Sequence, residues 1–369
     1  MGKKDKIKKI THILYSGLGG TYDVCNILGK LDTKLNTKST FIQIGPTRFN
    51  KLISQKNQTT YFIKTFRFFT IFYFLSVLSI LIREKPNLVI LHNYQIIPVF
   101  LYKFLFFKNL TIIYVDHTPN NLKSFKDFFV CKFFKFIIDF FVTLNKDSFK
   151  YFIDKIKISK NRIKIIPNAV NQKFIRKKIF INNLKKTVIF GMASRINNLK
   201  RHDLIVDVLQ SEPLKDENII CYFAGSGENI NFLKKKIKNK NKFKFFGALN
   251  SYDLKKWYQS LDFYIQATTG EGHSTSILQA MGMNLPILGS NVSGVKNFLY
   301  PKRNIGITFE NNENSLISKI RSITKMTNNK RKIIVSSQKK YLLENFTEIT
   351  FLNSYEKIIK KLVFNKNST

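Results

Sequence analysis

The stretch Phe263-Tyr264-Ile265-Gln266-Ala267-Thr268-Thr269-Gly270-Glu271-Gly272-His273-Ser274-Thr275-Ser276-Ile277-Leu278-Gln279-Ala280-Met281, closed by Leu285-Pro286-Ile287-Leu288, reads as a strand, a turn, a helix and a second strand. Phe263–Gln266 is mostly aromatic and β-branched, two glycines and a run of hydroxyls break it, and apolar residues then recur at helical spacing. Ser276-x-x-Gln279 is a capping box that would start the helix. The same alternation extends outward. Val188–Met192, Ile219–Phe223, Phe243–Phe246, Phe263–Gln266 and Pro286–Leu288 read as strands, with helices near Lys200–Gln210, Asn229–Lys238 and Tyr252–Ser260. The first half repeats the arrangement, with strands at Ile10–Tyr15, Thr40–Ile44, Leu88–Leu91, Thr111–Val115, Phe141–Leu144 and Ile163–Ile166. Helices are expected there at Tyr22–Leu31, Thr65–Arg83, Gln95–Phe106 and Phe125–Phe140. Alternating βα units predict parallel sheets covered on both faces. Asn168–Lys186 is polar and strand-poor, a natural linker. The fold class is therefore α/β: two Rossmann-like doubly wound domains, 1–170 and 186–345, with an interdomain cleft. Residues from Glu313 onward are mainly helical, and a terminal helix at about 346–369 is placed to pack back on the first domain.

The 369 residues suffice for two hydrophobic cores, and 44% apolar content excludes wholesale disorder. The charge is unusual: 62 Lys+Arg against 23 Asp+Glu gives +39. Such a balance invites a nucleic-acid or anionic-membrane reading. Only ten of the basic residues are Arg, however, and the abundance of Lys, Asn, Ile and Phe is what an AT-rich genome supplies. No aromatic RNA-binding run, zinc finger or recognition helix accompanies the charge. Cys25, Cys131 and Cys221 lie far apart, so neither a disulfide framework nor a zinc site is expected, and a reducing compartment fits. The run Phe68–Ile82 falls short of the ~20 residues a bilayer span needs. A cytoplasmic protein follows, with peripheral attachment to an inner membrane leaflet left open.

Ligands of doubly wound folds collect at the carboxyl ends of strands. Gly17-Leu18-Gly19-Gly20 follows the first strand, where glycines allow close backbone approach to a ligand or simply make a tight turn. His117 lies just past the Thr111–Val115 strand beside Asp116, as a polar catalytic group or as a hydrogen-bonded loop residue. Arg195 ends one strand and Lys200 opens the next helix, an end where the helix dipole disfavours cations unless an anion binds. A diphosphate held by both would explain them, as would solvated surface charge. The capping box accounts for Ser276 and Gln279, but not for Glu271-Gly272-His273.

Glu271-Gly272…Leu278-Gln279-Ala280-Met281…Leu285-Pro286-Ile287 resembles the EGxxxxxLEAM…G-x-P-V block of family-four retaining glycosyltransferases, which have the GT-B fold. Other stretches fall in the family's order: Gly19-Gly20, Ile166-Pro167-Asn168-Ala169-Val170, Arg195 with Lys200, Phe223-Ala224-Gly225-Ser226-Gly227-Glu228, Phe246-Gly247 and Ser260-Leu261-Asp262-Phe263-Tyr264. The order carries the resemblance, which runs from about Ile10 to Asn297.

The resemblance implies transfer of a sugar from a UDP- or GDP-sugar to an acceptor hydroxyl, with retained configuration. The nucleotide-sugar is a co-substrate; no cofactor and no metal are expected. Arg195 and Lys200 would stabilise the leaving diphosphate, Glu271 would contact the sugar hydroxyls, and His117 would act beside the transferred sugar. Gly19, Gly20, Gly247, Gly272, His273, Ser274, Thr275, Ser276 and Gln279 would complete the donor site. Gln279 stands where the family has Glu, forfeiting a charge-assisted bond to ribose of roughly 1–2 kcal/mol. The expected acceptor is a glycan or lipid-linked glycan, in cell-surface polysaccharide, capsule or lipopolysaccharide synthesis. Phe125–Phe141, with Lys126, Lys132 and Lys135 among its phenylalanines, reads either as an interfacial helix facing anionic lipid or as an ordinary core helix. The rival functions are a GT-B protein without transfer activity and a basic nucleic-acid binder. Gln279→Glu is expected to tighten donor binding; a nucleotide Kd unchanged or weakened would remove the ribose assignment.

Overall fold

The computed structural model describes residues 8–15, 19–45, 58–65, 70–92, 96–179, 181, 187–299 and 305–364. The chain divides into two compact units, Met1–Asn168 with Glu348–Thr369, and Ala169–Thr347.

The first unit is built on seven parallel strands: β1 (Lys8–Tyr15), β2 (Thr37–Gly45), β3 (Thr59–Lys64), β4 (Leu88–Leu91), β5 (Thr111–Asp116), β6 (Phe140–Thr143) and β7 (Ile163–Ile165). Their order is β3-β2-β1-β4-β5-β6-β7. The second has six parallel strands, β8 (Val188–Ala193), β9 (Ile219–Ala224), β10 (Phe243–Phe245), β11 (Phe263–Gln266), β12 (Ile287–Ser290) and β13 (Ile307–Phe309), ordered β10-β9-β8-β11-β12-β13. Both are doubly wound sheets whose strand order reverses beside the first strand, at β1/β4 and at β8/β11. That reversal opens a crevice at the carboxyl ends, where ligands of such folds bind. The α/β class expected from the alternation is what forms.

Central strands are buried on both faces. All four residues of β4, β6, β11 and β12 are buried, which is why their sequences are nearly continuous apolar runs. Ile13, Val89, Ile112 and Phe141 centre the first core, and Phe190, Phe223, Phe263 and Leu288 the second. The two strands that the sequence pattern misses, β3 and β13, are edge strands and only partly buried. The helix expected at Phe125–Phe140 stops at Phe134. Beyond it, Asp139 turns its carboxylate to the Ile112 amide (2.8 Å) and the chain enters β6.

That helix starts on a true capping box between Ser124 and Asp127. Its phenylalanines divide. Phe128 and Phe134 pack against the first core, whereas Phe125, Phe129 and Phe133, spaced i, i+4, i+8, are 76%, 51% and 72% exposed. Phe136 just beyond is also exposed, as are Phe104, Leu105 and Phe106 at the end of the helix Ile97–Leu105. Among the described residues no helix is long and apolar enough to cross a membrane.

The closing helix Glu348–Ile359 belongs to the first unit. It buries Tyr355 and Ile359, pairs Glu348 with Lys30 and Glu356 with Lys34, and joins Asn353 to Lys34 at 2.7 Å. The cysteines Cys25, Cys131 and Cys221 are all buried and unbridged.

At the end of β5, Asp116 and Lys123 form an ion pair of 2.8 Å between side chains 0% and 2% exposed. Burial pushes the Asp116 carboxyl pKa up, and the Lys123 ammonium opposes that shift. Lys123 also donates to the Thr118 carbonyl (2.9 Å) and Asn120 Oδ1 (2.7 Å), which fixes the loop that carries His117. Lys123→Met leaves a buried carboxylate uncompensated and is expected to lower the unfolding free energy by about 3–5 kcal/mol in urea titrations. A change below about 1 kcal/mol would show that the pair contributes little.

Candidate active site

In the second unit, the loops leaving β8, β9 and β10 are laced together by backbone bonds. Ser194 N–H donates to Ala224 O (3.0 Å), Ile196 N–H to Ser226 O (3.0 Å) and Gly225 N–H to Gly247 O (2.7 Å). The first two bring the β9 loop directly under Arg195, with no room for a side chain. Gly225 has φ +138°, and a Cβ there would overlap the Ser194 carbonyl. Arg195 is exposed above this lattice.

The β11 loop is tied to the β8 loop just as closely. Thr269 N–H and Thr268 Oγ1 both donate to Leu199 O, at 2.9 and 3.0 Å, and Arg201 N–H donates to Ala267 O at 3.2 Å. These bonds set Lys200 beside Glu271, and the two form an ion pair. Gln266 Nε2 donates to the same Glu271 oxygen at 3.3 Å, while Gln266 Oε1 accepts from Tyr264 OH (2.7 Å) and Ser276 Oγ (3.2 Å). Glu271 is thus fixed from both sides. Its backbone is crowded too: a Cβ on Gly294 would overlap the Glu271 carbonyl. Behind the loop, Ser290 Oγ accepts from Thr268 N–H (2.9 Å) and donates to Asn311 Oδ1 (2.6 Å), and Asn311 Nδ2 returns to Thr268 O (2.9 Å). Ser290 and Asn311 support the site, yet no motif marks them in the sequence.

The helix after this loop, Thr275–Gly282, is capped by Ser274, whose Oγ accepts from Ile277 N–H at 3.4 Å. The expected cap, Ser276, is instead in the first turn, where its hydroxyl donates to Gln266 Oε1 and its oxygen is also hydrogen-bonded with Ser274 Oγ. The competing partner, Gln266 at the end of β11, is set by tertiary structure. Gly272 is buried and Thr275 partly exposed in the same turn. His273 packs between Phe298 (ring centroids 3.9 Å apart) and Phe346 (5.2 Å). Gln279 is 5% exposed and its Oε1 accepts from Tyr258 OH at 3.1 Å. Arg195, Lys200, Glu271, Gly247 and the Ser274–Ser276 turn therefore cluster at the carboxyl ends of the second sheet, while His273 and Gln279 are turned into packing. Cations, a fixed carboxylate and a helix N-terminus at one crevice can hold a phosphate and hydroxyl groups together. One more histidine braces it: His202 bridges Ser194 Oγ (3.2 Å) and the Lys200 carbonyl (2.7 Å).

In the first unit, Gly19 (φ +149°) and Gly20 open the helix Gly20–Leu28 after β1, and Gly17 and Leu18 lie outside the described residues. His117 follows β5. Its neighbour Asp116 is spent on Lys123, and its ring meets another imidazole instead: Nε2 lies 3.2 Å from His92 Nδ1. His92 Nε2 in turn lies 3.3 Å from His12 Nδ1. Neither His12 nor His92 stands in a sequence motif; parallel pairing of β1 with β4 and of β4 with β5 brings them into line. The donor atoms of His12, His92 and Cys25 lie within 4.8 Å of one another, all buried. Two of those atoms already hydrogen-bond to each other.

Residues 171–340 match the family described as glycosyl transferases group 1. Protein CapJ of Staphylococcus aureus is 29% identical over 223 residues, 57% of this chain and 54% of its own, so the chain spans about half the length of that relative. The O-antigen biosynthesis glycosyltransferase WbnH of Escherichia coli is 25% identical over 67% of this chain and 69% of its own. The solved structure of Anabaena HepE, in complex with UDP and glucose, superposes with a TM-score of 0.78 at 14% identity, covering 96% of this chain and 100% of its own. The architecture this chain shares with HepE is GT-B.

All five histidines of the sequence are held neutral by burial: His12 and His273 at a pKa of about 3, His117 and His202 at about 4, and His92 well below its ordinary value. Unfolding frees each to take a proton near its ordinary pKa of 6.5. The stability held by keeping them neutral is present above that pH and is lost as pH falls toward the native values. For the fully buried His12, His92 and His202, the slope below pH 6.5 approaches about 1.4 kcal/mol per pH unit each. Tm is expected to fall steeply between pH 6.5 and 4.5; a flat profile there would contradict the burial.

Proposed function

We propose that this chain, a member of the glycosyl transferases group 1 with the GT-B fold, moves a sugar from a UDP- or GDP-sugar to a hydroxyl of a glycan or lipid-linked acceptor. The reading rests chiefly on the pairing of Lys200 with Glu271 at the strand-order reversal of the second sheet, with Arg195 exposed on the adjoining loop. A carboxylate and an ammonium already fixed there suit two parts of one ligand. The donor's diphosphate would draw Lys200 and Arg195, and the sugar hydroxyls would occupy Glu271. As the sugar leaves, charge grows on the diphosphate, and preorganised cations stabilise that charge more than the ground state. Phosphate neutralisation by Arg195, Lys200 and backbone N–H groups dispenses with a metal. Retention of configuration and the role of His117 at the transferred sugar follow from the motif resemblance.

The description of WbnH as an O-antigen biosynthesis glycosyltransferase supports surface-polysaccharide or O-antigen synthesis as the setting, and the UDP complex of HepE favours UDP as the nucleotide. For Gln279, the ribose contact would require its amide to exchange Tyr258 for a sugar hydroxyl.

A lipid-linked acceptor would bring the enzyme to a membrane. The exposed row Phe125, Phe129, Phe133 and Phe136 is interleaved with Lys126, Lys132 and Lys135, a pattern matched to an anionic bilayer interface. Phe134 meets Phe100 edge-on (5.5 Å), so the row continues toward exposed Phe104 and Phe106. The net charge of +39 acts in the same direction.

Lys200→Ala and Arg195→Ala are each expected to lower kcat about 10²-fold in a donor-turnover assay, and EDTA to leave the wild-type rate unchanged. Thermal shift is expected with UDP or GDP and lost in Lys200→Ala; no shift with any nucleoside diphosphate would overturn the donor assignment. In the same proposal, replacing Phe125, Phe129 and Phe133 together by Ser is expected to release the protein from phosphatidylglycerol vesicles without moving Tm by more than a few degrees. Equal binding of that variant would remove the aromatic row from the membrane contact.

A further inference from the structure

Three imidazoles run in file from the middle of β1 across the carboxyl ends of β4 and β5. His12 is 2% exposed and His92 3% exposed, and His117, at the end of the file, is partly exposed. The rings overlap as well as bond: centroids are 5.6 Å apart with planes at 18° for His12 and His92, and 5.4 Å apart at 32° for His92 and His117. His12 stacks on Phe41 at 4.8 Å, which closes the buried end. A core position needs no imidazole, and an apolar ring would avoid the cost of a buried polar group. The only acid adjacent to His117 in sequence is held by Lys123, so the ring's orientation is left to His92.

A neutral imidazole carries one proton, so one nitrogen donates and the other accepts. His92 spends both nitrogens inside the file, and therefore donates to one neighbour and accepts from the other. Either His12 Nδ1–H donates to His92 and His92 Nδ1–H to His117 Nε2, or every bond runs the opposite way. Intermediate states leave two N–H groups, or two lone pairs, facing each other. The first arrangement leaves His117 with its proton on Nδ1, the second with Nδ1 as an acceptor. We propose that His92 and His12 are positioning residues for His117: the file locks its ring and holds it in one tautomer, and so decides whether Nδ1 gives or takes a hydrogen bond at the substrate. The proposal rests on the assignment of His117 to sugar transfer, but the tautomer lock is a property of the free protein and can be read without a substrate.

The test uses full-length protein with ¹⁵N-labelled histidine side chains at pH 7, and donor turnover in parallel. In the wild type the long-range ¹H–¹⁵N pattern of His117 is expected to show a single neutral tautomer. His92→Leu is expected to average the two tautomers and to lower kcat at least about tenfold with the donor KM little changed. His92→Asn returns a polar group to the Nδ1 position and is expected to recover most of that loss. His117 averaging two tautomers in the wild type would overturn the proposal even where the Leu variant fails to fold. So would an unaltered kcat in His92→Leu, or stoichiometric zinc retained on His12, His92 and Cys25, since metal ligation breaks the file. Failure of the wild type to turn over any donor, with the single tautomer intact, would instead count against sugar transfer.

Discussion

Parallel pairing of β8 with β11 is the constraint on which the candidate site depends. Each strand of a parallel sheet delivers its loop to the same edge, and where strand order reverses, neighbouring loops lead away to opposite faces. Here that places the loops bearing Arg195 and Lys200 next to the loop bearing Glu271, although 71 residues separate Lys200 from Glu271. Backbone bonds from Thr269 and Arg201 then fix the loops to each other, so the ion pair is held by main chain rather than by the attraction of two flexible side chains. The first sheet uses the same geometry at β1 and β4 to align three histidines.

Both units spend polar groups inside their cores, and those beside the candidate functional residues have specific partners. Asp116 has Lys123; Gln266 has Tyr264, Ser276 and Glu271; Ser290 has Thr268 and Asn311. These partnerships lie behind the loops that carry the candidate functional residues. Buried polar networks of this kind specify one arrangement, because any other leaves a donor or acceptor without a partner in a low-dielectric interior.

Much of this was legible in the linear pattern. Leu88–Leu91 and Phe263–Gln266 read correctly to the residue, because strands buried on both faces must be short apolar runs. Strands β3 and β13 escaped, although β7 and β10, equally at sheet edges, were read. Arg195, Lys200 and Glu271 stood out as cations beside a helix start and a carboxylate between glycines, and the order of the family's motifs then favoured a ligand over solvated surface charge. His12 and His92 did not stand out, since a histidine within or just after an apolar strand looks like any other buried residue until its neighbours are known. Ser276 was legible as a cap but was taken by Gln266, a competitor that only folding supplies.

By itself the sequence determined the alternation of strand and helix, hence two doubly wound sheets, and the residue types gathered at strand ends, because periodicity and turn chemistry are local. The excess of positive charge was plain as well, but not its distribution. Only the tertiary structure decided that Phe125, Phe129 and Phe133 face outward while Phe128 and Phe134 pack inward, since a helix rich in phenylalanine on every side declares no face. It alone decided which loops meet, that Lys200 pairs with Glu271, and that His117 leans on His92 rather than on Asp116. Those are contacts between residues distant in the chain, and strand order, which no local pattern encodes, brings them together.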